Sequence, residues 1–256
     1  MIKKILFLFI CFTLFLYAEL SNEAKNILKE IESKNTEYYS GNRLVKVNEA
    51  KSILEKIDKS NFEEEEKVYL KIETYILWAN ISIANGTFEE DYITLSQIYK
   101  DIKKDKYFTT SLSYGAFADF ANSLTSLGFF NNKYPYSIIV DMYNYSRLAL
   151  LKDSANFRAK QIYGMWQIAT LSYYNNNTFY SVINSLNSTD NLPDYMIYRA
   201  YIYRSMAYMK VNETEKAFTE LENAKKMYPN GFYGYLLQKS YDSGKDGFLS
   251  AEGADF

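Results

Sequence analysis

Residues 198–230 read YRAYIYRSMAYMKVNETEKAFTELENAKKMYPN. Tyr201, Ser205 and Tyr208 recur at spacings of four and three, the interval that places side chains on one face of a helix. Val211-Asn212-Glu213 interrupts the run. Ala217, Leu221 and Ala224 resume it, and Pro229 ends it. Bulky side chains on the first segment set against small ones on the second predict two helices packed closely and antiparallel.

The pattern repeats. Trp166, Tyr173, Val182 and Leu186 precede Tyr201, Tyr208, Ala217 and Leu221 by a constant 35 residues. Helix, Asn-rich turn at 175–177, helix and Pro193 recur in the same order. Turns at Asn85-Gly86 and Asn131-Asn132 lie further apart, so earlier units are longer or irregular. A period of this size predicts a stacked helical array.

Large, small and aromatic residues on a first helix, followed by Ala, a large apolar residue, Ala and Pro, resemble the tetratricopeptide repeat. The resemblance rests on Tyr201, Ser205, Tyr208, Ala217, Leu221, Ala224 and Pro229. It is clear over 163–230, with repeats at 163–196 and 198–230, suggestive over 61–105 and weak elsewhere. It implies an all-α, helical-repeat solenoid of about five antiparallel helix pairs over 19–242. In that family the first helix of each pair lines a concave groove. By register the groove positions here are Gln167, Leu171, Tyr174 and Asn175, then Arg199, Ile202, Met206, Met209 and Lys210. Gln167, Tyr174, Asn175, Arg199, Met206 and Lys210 are the expected partner contacts, since mixed polar, aromatic and Met surfaces suit a peptide or protein.

Elsewhere the apolar stripes predict further helices. In 21–34, Ala24, Ile27, Leu28 and Ile31 share a face, with a partial capping signal that either Ser21 or Asn22 could supply, and a turn follows at Tyr39-Ser40-Gly41-Asn42. Val45, Ala50, Ile53, Leu54 and Ile57 mark a second helix. Glu63–Glu66 opens a third, where acidic side chains suit the positive helix N-terminus and stay solvated. A basic end at Lys103, Lys104 and Lys106 suits a helix C-terminus in the same way. Residues 107–130 form a helix rich in small residues, Pro135 introduces another, and 231–242 form a last one.

The first twenty residues, MIKKILFLFICFTLFLYAEL, have the layout of a secretory leader. Lys3 and Lys4 precede an apolar run over 5–17, and Ala18 supplies a cleavage position. The run falls short of the roughly 20 residues a spanning helix needs. The expected mature chain therefore has no integral membrane span and lies in the periplasm or cell envelope. It keeps 27 Lys and Arg against 31 Asp and Glu, a net −4. That mild acidity, without a basic block, argues against nucleic acid and against an electrostatic membrane site.

Removal of residues 1–18 also removes Cys11, the one cysteine, and the chain has no histidine. Ser-His-Asp and Cys-His catalysis and Cys/His zinc sites are thereby excluded. No GxxxxGK[ST] or GxGxxG phosphate loop is present. Paired carboxylates could still act alone, but the acids fall mainly on polar helix faces, so no enzyme activity, cofactor or metal is expected. Residues 242–252, DSGKDGFLSAE, are similar to a calcium loop, yet Gly244 stands where an oxygen ligand belongs and Glu252 comes one residue early. With 243–256 they read as a flexible tail.

The expected function is a non-catalytic module that binds a protein or peptide partner in the cell envelope. The alternative is a small-molecule-binding component serving a transporter. An open groove favours the first, and a closed aromatic-lined pocket the second.

Overall fold

A computed structural model describes residues 20–41, 45–131, 133, 136–170 and 176–247. The expected leader, the turn residue Asn42, Tyr134-Pro135, the groove positions Leu171, Tyr174 and Asn175, and the tail beyond 247 lie outside them. The described residues form eleven helices and no strand. These are α1 (Asn22–Tyr39), α2 (Val47–Lys59), α3 (Glu64–Asn85), α4 (Phe88–Ile102), α5 (Ser111–Phe130), α6 (Tyr136–Lys152), α7 (Phe157–Thr170), α8 (Asn176–Ser185), α9 (Asp194–Lys210), α10 (Thr214–Met227) and α11 (Phe232–Asp242). None is long and apolar enough to cross a membrane.

Local chemistry sets the ends of these helices. Ser21 Oγ accepts from the Ala24 amide and caps α1. Gly86 takes the left-handed conformation (φ 73°) that closes α3. Thr110 and Ser113 satisfy each other's backbone at the start of α5. Asn212 (φ 61°) turns the chain between α9 and α10. Three boundaries differ from the sequence reading. α1 runs on to Tyr39 because Tyr38 and Tyr39 are buried and extend its apolar face. α5 begins at Ser111 instead of 107, where its cap forms. Asn176 and Asn177 belong to the first turn of α8, not to the turn before it.

The odd-numbered helices stack in succession, α1 on α3, α3 on α5, α5 on α7 and α7 on α9. The even-numbered helices pack against them, α6 on α5 and α7, and α10 on α9. The repeat positions behave as spacers. Ser205 Oγ donates to the Ala217 carbonyl at 2.7 Å, a contact that only small residues on both helices permit. Gly164 lies so close to Val182 that an added Cβ would be 2.8 Å from its methyl.

Two apolar clusters result. One draws on α1–α6 with Ile162 of α7, and in it Tyr99 stacks on Phe117 at 4.4 Å; the other draws on α7–α11 with Tyr38 and Tyr39 of α1. α1 joins them at both ends of the chain: Tyr39 stacks on Tyr195 of α9 and Tyr233 of α11, each at 5.6 Å. The stack of odd helices therefore returns to its own beginning.

Candidate functional site

Four odd helices each send one charged residue to the middle of the molecule. Glu73 comes from α3, Asp119 from α5, Arg158 from α7 and Arg199 from α9, and all four are buried. Along the chain of contacts, Glu73–Arg158–Asp119–Arg199, the signs alternate. Arg158 Nη2 lies 3.0 Å from Glu73 Oε2, and its Nη1 donates to Asp119 Oδ2 at 2.9 Å. Arg199 donates to both oxygens of Asp119, at 2.7 and 2.8 Å. Two carboxylates thus face two guanidiniums, and Tyr195 and Tyr203 take further guanidinium N–H bonds through their hydroxyls.

The two carboxylates shift in opposite directions. Burial alone would raise the Asp119 carboxyl, but Arg199 and Arg158 outweigh it and hold it below its ordinary value. Burial raises the Glu73 carboxyl, which Arg158 only partly offsets and Asp119 pushes further up. The difference is geometric: Asp119 receives three directed N–H bonds, whereas the Glu73–Arg158 approach lacks hydrogen-bond alignment. Glu73 and Asp119 are exceptions to the sequence reading, which put carboxylates mainly on polar faces. A signal was available, since Asp119 is the one charged residue in the twenty of α5.

Beside Arg199 a cavity with about 30 Å³ of room opens between α1, α5, α7, α9 and α11. Tyr39, Asn122, Ser126, Met165, Arg199, Ile202, Tyr203 and Tyr233 line it. Burial raises the Tyr39, Tyr203 and Tyr233 phenols, so they stay protonated. Arg199 Nε is buried without a partner at this place. Neither carboxylate of the central chain lines the cavity.

The expected partner contacts that are described, Gln167, Arg199, Met206 and Lys210, are not gathered into one open surface. Arg199 is 3% exposed and Met206 1%, because α1 and the loop after α11 cover the face of α9 that carries them. Met206 packs on Gly247. Ile202 is buried, Gln167 and Met209 are half-buried, and Lys210 pairs with Asp246. Glu73, Asp119, Arg158 and the α1 tyrosines, which sequence reasoning did not select, occupy the centre instead. Among the described residues no group of His, Cys, Asp and Glu is arranged to hold a metal.

Lys103 pairs with Asp141 and Lys104 with Asp101, so the basic end of α4 is not an open patch. Of the acids at the start of α3, Glu63 and Glu64 are exposed and Glu65 and Glu66 half-buried. The chain matches no protein-family model and no curated protein sequence.

Proposed function

We propose that the chain is an exported, non-catalytic binding or assembly module of the bacterial cell envelope, built as a tetratricopeptide-like solenoid of five helix pairs capped by α11. The reading is supported by the order of packing: each odd helix rests on the next odd helix, and the even helices flank them. The tetratricopeptide positions Ser205, Ala217, Leu221 and Ala224 are all buried between helices, as close helix pairing requires. The central charges are matched to one another within the stack, which leaves them little capacity to recognise a partner. In this reading Arg199 and Met206 hold the frame. Partner contact then falls to Gln167 and Lys210, which are half-buried, together with Tyr174 and Asn175, which lie outside the described residues.

A second reading, a small-ligand carrier, is favoured by one observation, the tyrosine-lined cavity with the unpartnered Arg199 Nε. Its room suits water-sized occupants. A larger ligand would need α1 to move away from α9, which places this reading second.

Native mass spectrometry on the chain recovered gently from its own envelope fraction separates the two. A stoichiometric protein partner, released by Gln167→Ala with Lys210→Ala, is the expected result. A defined small mass lost on denaturation, with no protein bound, would replace the module reading with the carrier.

A further inference from the structure

We propose that the outward face of α6 rests on an anionic lipid surface. The inward face of this helix is formed by Ile138, Met142, Ser146 and Ala149, all buried. The opposite face carries four large apolar side chains in the open: Tyr136 is 77% exposed, Val140 37%, Leu148 41% and Leu151 76%. At 100° per residue they fall within one stripe, which runs roughly 22 Å along the helix.

Two exposed cations, Arg147 and Lys152, stand on the same side. The Arg147 guanidinium lies over the Tyr143 ring and donates to its hydroxyl, and the Lys152 ammonium lies over the Tyr114 ring, with both side chains still exposed. The one acid within α6, Asp141, lies at the edge of this stripe, on the side of Lys152, but is paired and covered. It accepts from Tyr99 and Lys103 at 2.8 and 2.7 Å and is largely covered. The face therefore exposes two cations, and the one acid at its edge is already matched by Lys103, on a chain whose net charge is −2. The whole-chain balance, which argues against a membrane site, conceals a local face of opposite character.

Tyr at one end, paired Leu at the other and Arg and Lys among them are the composition of a helix that lies in a bilayer interface. A second copy of the chain is a poor occupant, because two such faces would bring four cations together without a counter-charge. A bilayer bearing anionic headgroups supplies both the apolar depth and the negative charge. This inference does not depend on which residues bind a protein partner, and its failure would leave that reading intact.

The test places an environment-sensitive nitrobenzoxadiazole label on the helix itself, in the full chain with Cys11→Ser and Val140→Cys. Leu151→Cys serves as a second reporting position and Lys226→Cys, on exposed α10, as the control. Vesicles of phosphatidylglycerol with phosphatidylcholine should shift the label at 140 and 151 to the blue and leave 226 unchanged. Adhesion through the apolar N-terminal residues alone would not move the label at 140. Arg147→Gln with Lys152→Gln should weaken the response roughly thirtyfold, and salt near about 0.5 M should abolish most of it. An unchanged label at 140 and 151, or an equal response to pure phosphatidylcholine, would overturn the proposal. So would a response to an acidic amphipathic peptide but not to vesicles, which would assign the face to a protein.

Discussion

Arg199 grips Asp119 through two parallel hydrogen bonds across 80 residues of sequence, with both side chains almost wholly buried. The pair joins α9 to α5, and Arg158 extends it to α7 and Glu73. A buried ion pair gains little over a well-packed apolar one, yet losing one member leaves an uncompensated charge. Asp119→Asn should therefore cost about 3–5 kcal/mol, a large part of the stability of an ordinary domain. Asp119→Asn with Arg199→Met should cost less than Asp119→Asn alone, because Arg158 keeps Glu73 as its counter-ion. Urea unfolding of the three proteins measures this coupling. Equal or greater loss in the double variant would show that the chain of charges is not organised in pairs.

The opposite shifts of the two acids give stability a two-sided dependence on pH. Glu73 is raised in the folded state, so its contribution is fully present below its unfolded pKa and is lost as pH rises through the folded value. Asp119 is lowered, so its contribution is present above its unfolded pKa and is lost as pH falls through the folded one. From neutral pH down toward the ordinary carboxylate range, the Glu73 contribution should make the protein more stable. Below that range the Asp119 contribution should be withdrawn. Unfolding free energies of the parent and Glu73→Gln, compared across this range, should converge in slope only where Glu73 has finished titrating. Parallel curves throughout would mean that Glu73 does not change protonation on folding.

Much of the helical order was legible because periodicity and caps are local. Ala217, Leu221, Ala224, Gly86 and Ser21 do in the structure what their spacing or conformational freedom predicts. The centre was less legible, because Glu73, Asp119, Arg158 and Arg199 meet only through contacts between distant helices. Arg199 illustrates the limit. Its register placed it on the inner side of α9, but register cannot tell whether that side is open to a partner or closed by α1. Tyr38 and Tyr39 gave a warning, since two aromatics at the end of a helix call for a surface to bury them.

Asp91 ties the turn between α3 and α4 to the core. It accepts from Trp78 Nε1 at 2.9 Å, Ser82 Oγ at 2.7 Å and Thr87 Oγ1 at 2.6 Å. Asp91→Ala would leave the buried indole N–H without an acceptor and should cost about 1–3 kcal/mol. Ser82 retains its bond to the Trp78 carbonyl, so the loss should fall mainly on Trp78 and Thr87. In a Trp166→Phe background, where Trp78 is the sole tryptophan, its emission should shift to the red as water reaches the indole. An unaltered spectrum and midpoint would show that the three bonds are dispensable.

Gly41 stands where the beginning of the chain meets its end. It has φ 88°, and an added Cβ would lie 2.1 Å from the Asn230 carbonyl oxygen, which is backbone and cannot rotate away. Gly86 shares the left-handed conformation (φ 73°) but has open space around it. Gly86→Ala should cost the conformational penalty alone, about 1–2 kcal/mol, whereas Gly41→Ala must also part the two loops. The excess should appear locally, as faster hydrogen exchange in the last turn of α1 and the first turn of α11, with α3–α5 protected as before. If α1 is the strap that closes the stack, loosening it should also enlarge the cavity bordered by Tyr39 and Tyr233. Equal losses in the two variants, with no local exchange at α1, would show that the contact with residue 230 carries no tension and that closure rests on the tyrosine stack alone.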